Sequence, residues 1–447
     1  MRSVTRSVRR LGGRAAALAT TVVLLSAGLS VGAPAQAANV PTPGSFTGYG
    51  FDQCLAPSQR EMDVWLHNSP YWAAGIYISG ASRGCVSQPN LTPTWVRTQL
   101  AHGWRLLPIT LGPQAWCTTR ERYLSQRRID PRPAGAYYAA RAQGRAEAAK
   151  TVRVARNLGI SRRSTLWYDL EAFDTSPTNC RESALSFLHS WTQALHRYGY
   201  RSGVYSSAAS GIRMLDDARV NRPGRYTMPD RIWIGDWNGR RNTSSSYIRK
   251  DGWRPGRRVH QYIGGHNETY GGVTINIDTN WMSLGHGSVP PREPAHCGGA
   301  ARYNFGRYVS QVLGDRGPLV RTVQCLLRNN GRYDGPIDGV YDAELARAVS
   351  SYKVSRRLPA GPSTTRSTWV TLLSDGSSPL VKYGSASVAV RRLQRALNAA
   401  DEAGLRVTGF FNQPTTNALK RYQRSRGRTG TGVANGYVWR PLHAGVH

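Results

Sequence analysis

Between Gly44 and Leu284 the chain repeats one unit: a short apolar segment rich in β-branched and aromatic residues, then a stretch with helical spacing. Eight strand segments follow this rule: Thr47–Asp52, Ala74–Ser79, Trp104–Leu111, Ser164–Glu171, Arg201–Ser206, Arg231–Asp236, Arg257–Ile263 and Val273–Asp278. Helical stretches separate the first six. Thr92–His102 opens with a Thr-Pro start signal, Ala136–Asn157 is rich in Ala and Arg before a stop at Gly159, and Arg181–Tyr198 stops at Gly199. Strands alternating with helices pair in parallel, and eight of them close into a barrel. After the sixth and seventh strands there are only turn residues, Asn242–Ser246 and Gly264–Gly272. The pattern predicts an α/β TIM-like barrel over residues 45–284, of the variant with five βα units and three further strands.

Functional residues of such barrels sit at the C-terminal ends of strands. Acids are scarce, 26 in all. Five of them nevertheless fall at strand ends: Asp52, Asp169, Glu171, Asp236 and Asp278. Asp169 and Glu171 are two apart on one strand, so they project to one side with Cα atoms roughly 6.5–7 Å apart. Two acids aimed into one pocket suit the cleavage of a glycosidic bond. Glu171, Asp169, Asp278 and Asp52 are therefore the catalytic candidates. Gln261, Tyr262, Trp237, Tyr205 and Asp236 are the candidates for substrate contact, although Asp236, like Asp174, also reads as a cap or a partner of arginine. Other aromatics near these acids in sequence (Trp104, Trp116, Trp167, Tyr168, Trp233 and Trp281) are largely core material. His260 and His266 lack a paired acid or metal ligand in the sequence and read as structural.

The N-terminus points to export. Arg2, Arg6, Arg9, Arg10 and Arg14 precede the apolar run Ala15–Leu29, and Ala35-Gln36-Ala37 offers a cleavage site. Residues 1–37 are expected to be a signal peptide, and no other segment is apolar enough to span a bilayer. Six cysteines in an exported chain favour disulfides over metal ligation. Cys54, Cys85, Cys117 and Cys180 allow three connectivities; Cys297 and Cys325 lie further on. No cofactor or metal is expected. The net charge of +33 suits an anionic polymer, and no recognition helix, zinc finger or ribonucleoprotein motif directs it to nucleic acid.

Beyond the Pro/Gly-rich linker 285–299 the chain repeats itself with an offset of 70 residues. Val320-Arg321 matches Val390-Arg391, Gln324 matches Gln394, Gly339 matches Gly409, Tyr352 matches Tyr422 and Trp369 matches Trp439. This is duplication of a small helical domain, over 300–374 and 378–447.

Both regions resemble known families. Gly50-Phe51-Asp52, Tyr168-Asp169-Leu170-Glu171, Gly203-Val204-Tyr205-Ser206, Ile232–Trp237, His260-Gln261-Tyr262 and Ile277–Asn280 occur in this order. Together they resemble the glycoside-hydrolase-like domain of unknown function 1906 of exported actinobacterial proteins and, more distantly, the glycoside hydrolase family 25 lysozymes. The resemblance implies that Glu171 protonates the leaving oxygen, that Asp169 and Asp278 orient substrate and stabilise positive charge, and that Asp52 supports them. Two departures stand out: Gln53-Cys54 after Asp52, and an insertion at Ala115–Pro133. Each tail copy resembles the peptidoglycan-binding domain type 1, through Val320–Leu327 with Asp338–Tyr341 and Val390–Leu397 with Gly409–Phe411. Lys353 and Thr408 stand where that domain usually has Gln and Asp. The resemblances imply two all-α three-helix modules and a monomeric, secreted or wall-associated protein cleaving peptidoglycan strands. The alternative is a wall-glycan binder with a degenerate barrel. A cut with reducing ends or muropeptides as products separates the two.

Overall fold

The computed structural model describes Ser7 and Asn39–His447. The expected signal peptide lies, Ser7 apart, outside the described residues. Eight strands close a barrel in sequence order: β1 (Phe46–Asp52), β2 (Ala73–Ser79), β3 (Arg105–Thr110), β4 (Thr165–Asp169), β5 (Arg201–Ser207), β6 (Arg231–Gly235), β7 (Arg257–Tyr270) and β8 (Val273–Leu284). From β1 to β7 neighbours run parallel, but β8 is antiparallel to both β7 and β1. This corrects the expectation of parallel pairing throughout. The cause is local: β7 and β8 are joined by Gly271-Gly272, both at positive φ (57° and 78°), a two-residue turn that only antiparallel neighbours can use. Most of the expected turn Gly264–Gly272 is strand instead.

Helices clothe the strands up to β6. They are α1 (Gln59–Asn68), α2 (Pro93–Ala101), α3 (Glu121–Leu124), α4 (Ala134–Asn157), α5 (Thr178–Arg197) and α6 (Arg213–Asn221). The sequence reading did not locate α1 or α6. The start of α1 was legible, since Ser58 and Glu61 form a reciprocal capping box. Inside the barrel lie Phe46, Leu107, Ile109, Trp167, Trp233, Val259, Met282 and Leu284. Trp167 fits because its neighbour across the strand pair is glycine: a Cβ at Gly203 would come within 2.3 Å of the indole. The outer core, between strands and helices, holds Trp65, Trp104, Tyr168 and Trp191.

The tail forms two three-helix repeats, α7 (Pro318–Asn329), α8 (Ala343–Ser355) and α9 (Arg366–Ser374), then α10 (Val388–Asp401), α11 (Gln413–Ser425) and α12 (Gly436–His443). The offset survives in the hydrogen bonds. Trp369 Nε1 donates to Val309 O and Trp439 Nε1 to Pro379 O, both at 2.8 Å. Gln324 and Gln394 each accept from the glycine of the following turn, Gly339 or Gly409, so the matched glutamines are structural. Val320, Leu327 and Trp369 join Val390, Leu397 and Trp439 in one apolar core across both repeats. The Pro/Gly-rich segment before them is pinned, since Glu293 pairs with Arg395 and with His296 at 2.8 Å.

Three disulfides use every cysteine: Cys54–Cys85, Cys117–Cys180 and Cys297–Cys325. The last ties the segment leading into the first repeat to α7. Among the described residues no helix is long and apolar enough to cross a membrane.

Candidate active site

All four catalytic candidates line one cavity of about 180 Å³ at the barrel end where β1 to β6 finish. Asp52 is the last residue of β1, and Asp278 pairs directly with it across the antiparallel β1–β8 ladder. Asp278 thus reaches the site from within an antiparallel strand, not from the end of a parallel one as expected. Gly75 on β2 makes room for Asp52, whose Cβ would lie 2.5 Å from a Cβ at that position. Asp169 ends β4. Glu171 lies two residues past the strand, which stops earlier than expected. Its direction is held by two bonds: Leu170 N donates to Tyr205 O at 3.0 Å, and Glu171 N to Gln114 Oε1 at 2.8 Å.

Asp52 is buried and held by two amides. Gln261 Nε2 donates to both of its oxygens at 3.2 Å, and Asn280 Nδ2 donates to Oδ1 at 2.6 Å. The amides are fixed in turn. Gln261 Oε1 accepts from Tyr205 OH at 2.8 Å and from Trp237 Nε1 at 2.9 Å, and Asn280 Oδ1 accepts from Trp233 Nε1 at 2.7 Å. The two indole N–H groups, which cannot accept, thereby set which end of each amide faces the acid. Burial first, then the charge of Asp278, push Asp52 well above the ordinary carboxylate range, against the pull of Asn280 and Gln261. Burial also lifts Asp278, to about 6, partly opposed by His266 and reinforced by Glu171.

The other pair is wired differently. Asp169 is buried; Tyr77 OH donates to its Oδ2 at 3.2 Å, and its Oδ1 has no partner among the described residues. Burial and the neighbouring Glu171 push it well above the carboxylate range, with Tyr77 pulling the other way. Glu171 is partly exposed, and its Oε2 lies 3.2 Å from Arg120 Nη2. Arg120 belongs to the insertion noticed in the sequence, and Cys117–Cys180 anchors that insertion to the third residue of α5. A second lobe of about 230 Å³ shares Asp52, Tyr77, Glu171 and Asp278 with the first and is framed by Arg122, Tyr123 and the Cys54–Cys85 bridge. The acids thus stand where two lobes meet.

The contact candidates divide. Gln261, Tyr205 and Trp237 line the cavity, and Trp237 is 66 % exposed at its rim. Tyr262 does not line it. Alternation along β7 turns it away from the side taken by Gln261, and its ring lies 6.0 Å from that of His260. Asp236 also stands outside, where its Oδ2 accepts from Asn238 at 2.9 Å and Ser245 at 3.1 Å. Asp174 accepts from Ser176 N at 2.9 Å in a local turn. His260 is buried and bonded to the carbonyls of Asn242 and Asp236, and His266 pairs with Glu268.

Tyr77, Arg120, Gln114 and Asn280 went unassigned in the sequence reading. Tyr77 has the strand parity of Ala73 and Gly75, and Asn280 that of Asp278, so both were within reach of the period-2 rule. Arg120 and Gln114 come from irregular chain and carried no such signal. Among the described residues no group of three or more His, Cys, Asp or Glu is arranged to hold a metal ion.

An eight-stranded barrel with acids converging at one end is compatible with glycoside hydrolase-like chemistry. Comparison with family models is consistent at both ends of the chain. Residues 63–282 match the Rv2525c-like, glycoside hydrolase-like domain, and residues 316–369 and 387–442 match the "Putative peptidoglycan binding domain". The chain therefore combines a barrel of the first kind with two copies of the second, which supports binding to cell-wall glycan.

Solved structures similar to this chain include the Mycobacterium tuberculosis Tat-secreted protein Rv2525c in complex with HEPES, at 13 % identity and TM-score 0.35, covering 53 % of this chain and 96 % of that one. A family 25 glycosyl hydrolase from Bacillus anthracis matches at 14 % identity and TM-score 0.32, covering 56 % and 94 %. The modular autolysin LytC from Streptococcus pneumoniae matches at 10 % and 0.33, covering 53 % of this chain and 46 % of LytC. No curated protein matches the chain.

Proposed function

We propose that this is a secreted enzyme that hydrolyses the glycan strands of peptidoglycan while its tail holds it on the wall. The observation that carries the reading is the convergence of Asp52, Asp169, Glu171 and Asp278 on one cavity, with Trp237 exposed at the rim. Glu171, partly exposed and carried on irregular chain past β4, donates its proton to the glycosidic oxygen as the bond to the anomeric carbon breaks. To do so it exchanges Arg120 for that oxygen. Water supplies hydroxide to the anomeric carbon and a proton to restore the acid. In their ionised forms, which burial opposes and the growing positive charge on the sugar favours, Asp169 and the pair Asp52–Asp278 stabilise that charge. Trp237 offers a face on which a sugar stacks. The leader and the fully paired cysteines support an oxidising, extracellular setting. Tethering raises local substrate concentration without adding contacts at the site, and the positive charge suits an anionic polymer. The barrel and tail act as a monomer in this reading.

One observation favours a second reading, a wall-glycan binder without turnover: Arg120 already occupies the Glu171 carboxylate. Digestion of purified walls separates the two. Release of soluble fragments by the wild type and its loss in Glu171→Gln supports hydrolysis; equal background release by both leaves binding alone.

A further inference from the structure

The two tail repeats are built alike but present the same surface to different surroundings. In the first repeat a groove of about 520 Å³ runs along the segment that precedes α7, between Val309 and Leu319. Adding 70 to these numbers gives the Pro379–Ala389 segment, which lines a groove of about 570 Å³ in the second repeat. The second groove is bounded on its far side by the barrel, through Phe46, Trp72 and Arg105, and by Ser288 of the linker. The first is not.

Position by position the contrast is sharp. Lys382 is fully buried; its Nζ donates to Leu66 O at 2.7 Å and lies over Trp72 at 4.6 Å and Trp104 at 5.2 Å. Its counterpart Val312 is exposed. Tyr383 packs edge-on against Tyr49 and Trp281 of the barrel, at 5.1 and 5.6 Å, and is 9 % exposed, whereas its counterpart Leu313 is 63 % exposed. A Cβ on Gly384 would strike Thr47 O at 2.7 Å, while one on Gly314 would meet nothing within 4 Å. The barrel face involved lies where β1 meets β8, beside strands β7 and β8 that no barrel helix follows. An exposed apolar rim of Val309, Val312 and Leu313 is what such a face looks like before it is covered.

Charge separates the repeats as well. Arg316, exposed and lining the first groove, corresponds to Ala386 in the second. Asp315 is already engaged, accepting from Val312 N at 2.9 Å. The open groove therefore offers apolar surface beside an arginine that makes no side-chain hydrogen bond or ion pair among the described residues, which is complementary to a peptide bearing alkyl side chains and a free carboxylate. The stem peptides of peptidoglycan have that chemistry.

We infer that the duplicated repeats have divided their work: the second uses its groove to dock on the barrel, and the first uses the same groove to hold the stem peptides of the wall. The assignment rests on the wall-binding reading above and narrows it to one repeat. The second repeat is a spacer that sets the distance and orientation of the barrel relative to the bound wall.

The test is co-sedimentation of the full mature chain with purified peptidoglycan sacculi. The Leu313→Asp/Arg316→Glu double variant should weaken pelleting by about tenfold or more, the loss of an apolar residue at the rim and of the charge that lines the groove. Both residues are exposed, so its melting curve should overlie that of the wild type, and Arg316→Lys should restore most of the binding to an otherwise unaltered groove. Tyr383→Ala should pellet within about twofold of wild type but melt earlier and be cut sooner by protease between barrel and tail. A double variant that pellets as well as wild type, or a Tyr383→Ala that loses pelleting as fully, overturns the division of work. A wild type that does not pellet overturns the wall-binding reading itself and this assignment with it.

Discussion

Asp52 and Asp278 face one another across hydrogen-bonded strands, whereas Asp169 and Glu171 follow one another along a chain that leaves its strand between them. The first pair is held by Gln261 and Asn280, whose own partners are the indoles of Trp237 and Trp233 and the hydroxyl of Tyr205. The second pair has one hydroxyl, one guanidinium and an unpartnered oxygen. A wall built from paired strands and locked amides suits groups that must stay still while charge develops nearby. A wall whose last acid sits on irregular chain beside an exchangeable arginine suits a group that must change partners during a turnover. The difference suggests which acid acts and which ones support it.

Substitutions can break that comparison at several points. After Glu171 itself, the largest effect is expected at Asp169. Asp169→Asn keeps the shape and the bond from Tyr77 but removes a carboxylate from the cavity, and should lower the rate of wall digestion by about 10²–10⁴-fold. Activity within a few-fold of wild type would show that the second wall does not need its buried acid.

Next is the brace on the Arg120 insertion. Replacing Cys117 and Cys180 with serine opens a loop with a sequence separation of 63, and should cost about 4 kcal/mol of stability, read as a lower denaturant midpoint. The same replacement should impair activity even where the barrel remains folded, because Arg120 and Gln114 are then free to drift.

Asp278 should act in the opposite sense on stability. Its carboxyl titrates at about 6 in the folded protein against an ordinary 3.8. The native state therefore binds that proton more tightly than the unfolded chain. The resulting stabilisation is fully present below pH 3.8 and is lost as the pH rises through about 6. Asp278→Asn cannot ionise, so it should be up to about 3 kcal/mol more stable than wild type near pH 8 and little different near pH 3.5. Melting curves at both values check the sign, and a variant less stable at the higher pH would contradict the burial argument. The smallest effect belongs to the rim. Trp237→Ala should raise KM about three- to tenfold, the loss of about 1 kcal/mol of stacking, with a smaller loss of kcat because Tyr205 still holds Gln261.

Much of this was legible beforehand, for physical reasons that differ by element. The strands could be located because burial on both faces imposes continuous apolar runs, and the convergence of the acids followed from where those runs end. β8 defeated the same reasoning. Its direction depends on a two-residue glycine turn, and the apolar pattern of Val273–Leu284 reads alike in either direction. Tyr262 was chosen for its nearness to a strand end, a criterion that ignores the alternation by which it faces away from the cavity. Arg120 and Gln114 were hidden by their setting, since an insertion without periodicity gives no clue to which side chains turn inward. In the tail the offset of 70 residues predicted two equivalent folds, and only the packing against the barrel reveals that their surfaces are not equivalent.

The central claim is that Glu171 performs turnover on the wall glycan. It is tested most directly by mass analysis of the soluble products when purified peptidoglycan is incubated with wild type and with Glu171→Gln under identical conditions. The account predicts muropeptides with new reducing ends from the wild type, none above background from Glu171→Gln, and equal pelleting of both proteins with the wall. Matching fragment yields from the two proteins would contradict it.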